Sequence, residues 1–233
     1  MGKINHVKGR QVFDSRGNPT VEAEIFLDDG RFASAIVPSG ASTGTYEAFE
    51  LRDKENKDYL GKSVFKAVEN IKNPIAKAIK NLEIKEQNKI DKTLIELDGT
   101  KQKKNLGANA ILAVSMAACK LAAIEKKIPL YRHLSEVEKN KLPKPLLNII
   151  NGGVHAKNNL EIQEFMIRPE NTKTFKESMR QSFLVIQNLK KLIENTNVGD
   201  EGGFAPNLDS NDQAIELIIK AIKKSGFKEG EDI

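Results

Sequence analysis

Two carboxylates stand side by side in Val198-Gly199-Asp200-Glu201-Gly202-Gly203-Phe204-Ala205-Pro206-Asn207, followed by two glycines and a proline. Glycine adopts backbone angles that other residues avoid, and proline fixes its own φ and gives up a donor, so the run makes a shaped loop. Such a loop is either a polar surface turn or a holder for Asp200 and Glu201. Two further residues indicate the chemistry a holder would serve. Glu164 lies in the apolar run Ile162-Gln163-Glu164-Phe165-Met166-Ile167, and His155 follows Asn151-Gly152-Gly153-Val154. A carboxylate among apolar neighbours keeps its proton more readily, and a second carboxylate close by strengthens the effect on one of the two. A pair of that kind serves as a general acid at neutral pH. Taken singly, Glu164 also reads as a strand-end surface residue, and His155 as a loop histidine without a role. Gln163 and Glu164 alternate faces on a strand, so one of them turns toward such a site.

These residues need elements to position them. Residues 3–38 read as three strands: Val21, Ala23, Ile25 and Leu27 alternate with Glu22, Glu24 and Phe26, and Asp28-Asp29-Gly30 signals a hairpin. Asp14 to Thr20 is a turn-rich polar link before that hairpin. Ser39-Gly40-Ala41-Ser42-Thr43-Gly44 is small, hydroxylated and punctuated by glycine, which suits a moving loop that reaches a ligand or a plain linker. Three helices are expected next, over 62–80 with a kink at Pro74, over 86–97 closed by Asp98-Gly99, and over 108–127 ended by Pro129. The last is small and apolar almost throughout, and Cys119 is expected inside it as a packing residue. Residues 136–145 read as a linker between a domain over 1–135 and a second over 146–233. In the second, apolar runs at 146–150 and 162–167 precede helices near 175–194 and 211–225, the opening of an α/β barrel.

The chain has 233 residues, 39% hydrophobic and 30% charged, a globular composition. The net charge of +5 arises from 37 basic residues interleaved with 32 acidic ones, without the aromatic-studded basic run of a nucleic-acid surface. No membrane span is expected from the apolar runs, and residues 1–6 carry no apolar signal core. Cys119 is the only cysteine, so an internal disulfide is excluded, which fits a reducing compartment.

Asp14-Ser-Arg-Gly-Asn-Pro-Thr20, Ser39-Gly-Ala-Ser-Thr-Gly44, the run from Leu106 to Ala117, Ile150-Asn-Gly-Gly-Val-His-Ala156, Gln163-Glu-Phe-Met-Ile167 and Gly199 to Asn207 together resemble the signatures of the enolases, in the same order and at similar spacing. The resemblance runs over essentially the whole chain. It implies an α+β N-terminal domain, a three-stranded sheet plus helices, followed by the first part of an enolase-type α/β barrel. It implies a hydro-lyase, phosphopyruvate hydratase, that interconverts 2-phosphoglycerate and phosphoenolpyruvate in glycolysis and gluconeogenesis with two Mg²⁺ ions per site. Glu201 would then be the general acid that helps expel the hydroxyl, and Glu164 its hydrogen-bonded partner. His155, Gln163 and Glu164 would contact substrate. Ser42 would ligate the second Mg²⁺ when the mobile loop Ser39–Gly44 closes. The family also implies a homo-oligomer, a cytoplasmic location and, in some members, occurrence at the cell surface or secreted. In the family the first ion's acidic ligands, the proton-abstracting lysine and the phosphate-binding arginine come later than Ile233. The 233 residues are therefore expected to be inactive alone. The alternative is a non-catalytic binding protein built on the N-terminal unit.

Overall fold

Residues Val21, Ala23, Ile25 and Leu27 of the second strand are buried, and Glu22, Glu24 and Phe26 between them stay partly open, as a strand with one core-facing side requires. The computed structural model describes residues 2–40, 44–135 and 141–233. Strands β1 (Ile4–Phe13), β2 (Pro19–Leu27) and β3 (Phe32–Val37) form an antiparallel sheet in that order. Val7 pairs with Ile25, and Val21 with Val37. The Asp28-Asp29-Gly30 hairpin closes with Gly30 at φ +85, a conformation open to glycine at little cost.

Helix α1 (Phe65–Asn70) runs into a π-turn over Ile71–Ile75 and continues as α2 (Ala76–Ile79). Pro74 lacks the N–H that an α-helical bond would use, and the chain widens there while keeping Ile71, Ile75 and Ile79 buried. Helix α3 (Gln87–Asp98) ends on Gly99, whose amide closes on the Ile95 carbonyl at φ +69. Helix α4 (Ala108–Glu125) packs across β2 and β3. By length and composition alone it would qualify to cross a membrane, yet half of it is buried, including Val114, Ala117 and Leu121, which makes it the core helix of this unit. It stops at Glu125, two residues short of the expected end. Lys127 takes φ +55, and Pro129 opens α5 (Leu130–Leu134) rather than merely closing α4. Cys119 is half-buried beside Gln87, Met116, Leu130 and Leu134 and not enclosed as expected. Burial and then Asp91 push its thiol above the ordinary value, which disfavours the thiolate.

The chain divides into two compact units, Met1–Asn140 and Lys141–Ile233, each with its own apolar core. In the second, β4 (Leu147–Asn151) and β5 (Glu164–Ile167) pair antiparallel, with a register irregularity between Asn148 and Ile150. Helices α6 (Phe175–Lys190) and α7 (Asn211–Lys224) cover them, burying Val185, Leu189, Ile218 and Ile222 with Ile149, Phe165 and Ile167. Thr174 and Ser210 cap the two helices by accepting from the Glu177 and Gln213 amides. Each such cap is worth about 1 kcal/mol.

Candidate active site

The loop that carries Glu201 is fastened to β4 by its backbone. Asn151 donates to the Phe204 carbonyl and Phe204 to that of Ile149, both at 2.9 Å, so Phe204 lies beside Ile150 as a short parallel bridge. Gly199 donates to Gly203 at 2.8 Å, and Gly202 turns the chain at φ +82. Glycine is needed at 199 and 203 for close approach. A Cβ on Gly199 would lie 2.6 Å from the His155 carbonyl oxygen, and one on Gly203 would lie 2.7 Å from Asn151 Oδ1. The polar-turn reading of this run therefore gives way to a held loop.

His155 ends a short 3-10 turn, Gly153–His155. Gly152 donates to the Gln163 carbonyl at 3.1 Å and Gly153 to that of Leu160 at 2.7 Å, which ties the turn to the segment entering β5. The Asp200 amide donates to the His155 carbonyl at 2.9 Å and joins the turn to the Glu201 loop. Glu164, the first residue of β5, pairs with Asn151 of β4.

These supports bring three of the expected residues together. His155 Nδ1 lies 3.6 Å from Glu164 Oε1 and 3.8 Å from Glu201 Oε2. One ligand-type atom from each of the three lies within 4.8 Å of the others. The imidazole is buried, 5% exposed, and among the described residues its Nδ1 has no hydrogen-bond partner. The carboxylates are more open, with side chains 30% exposed for Glu164 and 41% for Glu201. The apolar enclosure expected for Glu164 is thus only partial. Along β5, Phe165 and Ile167 turn into the core, while Met166 is exposed on the alternate face that Glu164 shares, and Ile162 is exposed too.

Gln163 sits just before β5 with an exposed side chain, and its carbonyl accepts from Gly152 and from Asn151 Nδ2. Among the described residues the structure gives it this structural part. Asn148 is a residue that the sequence reading passed over. Its Nδ2 donates to Glu201 Oε2 at 3.1 Å. The available signal was a lone amide inside the apolar run Leu146–Ile150. Asn151, fully buried and with Oδ1 unpartnered among the described residues, was likewise missed.

Ala41, Ser42 and Thr43 lie outside the described residues; Ser39, Gly40 and Gly44 of the same loop belong to the first unit. The loop's stem is anchored. The Ser39 carbonyl accepts from Arg16 at 2.6 Å; its hydroxyl donates to Glu50 at 2.5 Å and accepts from Arg52 at 2.8 Å. Arg52 also donates to Glu50 and to the Pro19 carbonyl. Asp14 of the polar link holds its own turn by accepting from the Arg16 and Asn18 amides, both at 2.9 Å. Gly44 donates to Glu47 at 2.6 Å.

Comparison with known proteins accounts for both units. The family described as "Enolase, N-terminal domain" matches residues 4–134, and the family described as "Enolase, C-terminal TIM barrel domain" matches residues 139–233. The enolase of Pelagibacter ubique (strain HTCC1062) is 59% identical over 237 aligned residues, which cover 100% of this chain and 56% of that protein. The chain thus spans little more than half the length of the curated relative it matches. A three-stranded sheet with helices, followed by the start of a TIM-barrel domain, is the architecture those matches describe, and this chain belongs to the enolase family.

Proposed function

We propose that this chain serves the reversible dehydration of 2-phosphoglycerate to phosphoenolpyruvate, with Glu201 as the acid that protonates the departing hydroxyl. The observation that carries the reading is the meeting of His155, Glu164 and Glu201 from separate segments within 4.8 Å. Glu201 is open enough for a substrate to reach it, and Asn148 holds one of its oxygens. Glu164 is assigned by the resemblance as its hydrogen-bonded partner, and two close carboxylates favour one shared proton. Buried His155 walls the pair on the protein side and offers Nδ1 to the substrate. Gln163 is assigned a substrate contact by the resemblance alone.

Mg²⁺ takes oxygen ligands in near-octahedral geometry. Two carboxylates with an imidazole nitrogen are not that set, so the trio does not fit Mg²⁺ and no step is assigned to Mg²⁺ there. The two ions of the family reading are assigned elsewhere, with Ser42 as a ligand of the second and the Ser39–Gly44 loop as its cover. A homo-oligomer and a cytoplasmic location belong to the same reading.

The test uses a polypeptide carrying this sequence at the relative's full length. Glu201→Gln is expected to lower phosphoenolpyruvate formation by roughly 10²–10⁴-fold while sparing exchange of the C2 proton. Turnover near the unsubstituted rate would remove Glu201 from the role. The 233 residues alone are expected to give no phosphoenolpyruvate in the same assay, because the family's base and first-ion ligands are assigned to the part of the relative this chain does not span.

A further inference from the structure

We propose that the cleft between residues 45–48 and 100–104 of the first unit binds a nucleoside triphosphate, with Lys101, Lys103 and Lys104 on its phosphates and Tyr46 against its base. The cleft has a volume of about 480 Å³ and is lined by Thr45, Tyr46 and Thr100 together with the three lysines. Small-molecule sites run about 300–1,000 Å³. Among the described residues no carboxylate lines the cleft, and none of the three lysines makes an ion pair. Lys101 and Lys104 are exposed, and Lys103 Nζ donates to the Lys101 carbonyl at 3.2 Å. The acids close by in sequence are engaged elsewhere. Asp98 is buried and accepts from Thr100, Asn105 and Leu106, and Glu47 accepts from the Gly44 amide.

Three uncompensated ammonium groups around one concavity make a positive field that its walls concentrate. Lysine serves phosphate as a point charge, and three of them match a run of phosphoryl groups that each carry negative charge. Tyr46 supplies the second half of the site. It lies far from the lysine run in sequence, folding brings it to the same cleft, and at 99% exposure both faces of its ring are open. A ring left so bare serves no packing, whereas a nucleobase stacks on it whatever its identity, because every base has a π-face. The class is therefore a nucleoside triphosphate rather than one particular nucleotide. The walls are fixed before a ligand arrives. The Phe49 amide donates to the Gln102 carbonyl at 2.7 Å and joins the two segments, and the Lys104 amide donates to Thr100 Oγ1 at 2.8 Å. None of these residues belongs to the acid–base trio, so the site stands or falls apart from the reading of Glu201.

The experiment is calorimetric titration of the 233-residue chain with ATP, AMP and inorganic tripolyphosphate, without added Mg²⁺. One ATP per chain is expected, with AMP weaker by about tenfold or more because fewer charges meet the lysines, and with affinity that falls as salt rises. Lys101→Ala combined with Lys104→Ala is expected to weaken ATP and tripolyphosphate alike by about tenfold or more. Tyr46→Ala is expected to weaken ATP about fivefold or more and to leave tripolyphosphate unchanged. Lys190→Ala combined with Lys191→Ala removes the same charge from exposed positions of the second unit and is expected to leave ATP binding as it was. The substituted side chains are exposed, so circular dichroism should match the parent in every variant. Absence of saturable ATP binding, AMP as tight as ATP, or an equal loss in the two lysine pairs overturns the proposal. So does a Tyr46→Ala chain that binds ATP as tightly as the parent.

Discussion

Gly199 shows how a residue without a side chain sets the geometry of those that do chemistry. Its Cα faces the His155 carbonyl so closely that an added methyl would stand 2.6 Å from that oxygen and 2.7 Å from Asn151 Cβ. Neither neighbour is the tip of a flexible chain. Gly199→Ala is therefore expected to destabilise by about 1–3 kcal/mol, the usual cost of overpacking. It should also push the Glu201 loop away from His155. Gly202 differs: its φ of +82 is strained for alanine, but open space surrounds it. Gly202→Ala should cost roughly 1–2 kcal/mol through conformation, with the trio left in place. Thermal midpoints and turnover of the full-length chain check the pair. A Gly199→Ala protein as stable and active as the parent would contradict the close approach. The residues of the trio were legible because Glu201 and His155 sit among glycines and Glu164 interrupts an apolar run. Asn148 and Asn151 were not, since an amide gains meaning only from what folding places opposite it. Burial of Glu164 was overestimated for the same reason: strand alternation put it on the face of Met166, away from Phe165 and Ile167.

At the scale of elements, Asp98 joins α3 to α4. It is buried, 2% exposed, and accepts from the Thr100 hydroxyl and from the Thr100, Asn105 and Leu106 amides. These bonds fix the loop that leads into Gly107, where α4 begins. Burial pushes the Asp98 carboxyl up, but the Thr100 hydroxyl and the three amides outweigh it and hold it below the usual carboxylate range. A carboxyl depressed in the folded state adds stability above its unfolded value, about 3.9, and loses it as pH falls through the folded value. Asp98→Asn keeps the shape and removes the charge. At pH 7 it is expected to cost roughly 2 kcal/mol, in the range for bonds to an ionised acceptor. The gap to the parent should narrow below about pH 4. Thermal melts across pH 3–8 measure this, and a gap that is constant or widens in acid would refute it. Element types followed from periodicity and from Gly99, but two prolines acted otherwise than a simple stop. Pro74 is absorbed by a π-turn because Ile71, Ile75 and Ile79 gain burial by staying helical, and Pro129 starts α5.

For the whole molecule, the separate cores carry the last prediction. Ile4, Ile25, Ile71, Ile90, Val114 and Leu121 close one core, drawn from the sheet, α1 to α4 and the π-turn between them. Ile150, Phe165, Val185, Leu189 and Ile222 close the other. Each cluster is drawn from residues of one unit. We expect residues 1–135 to fold without the rest, as a domain of common size with a cooperative transition. The second unit is differently placed. Its sheet has two strands, and a two-stranded sheet is marginal without cover. Phe175, Met179 and Phe183 recur at helical spacing along one face of α6 and are all exposed, while Ser178, Ser182, Val185 and Leu189 are buried. Exposed apolar side chains of this kind favour association. Residues 141–233 on their own are therefore expected to associate at concentrations where 1–135 stays monomeric. Thermal melts followed by circular dichroism, with light scattering on both polypeptides, read the two halves separately. A 1–135 polypeptide that melts without cooperativity would show that its core needs the second unit after all. A monomeric, cooperatively melting 141–233 would show that the α6 face needs no partner.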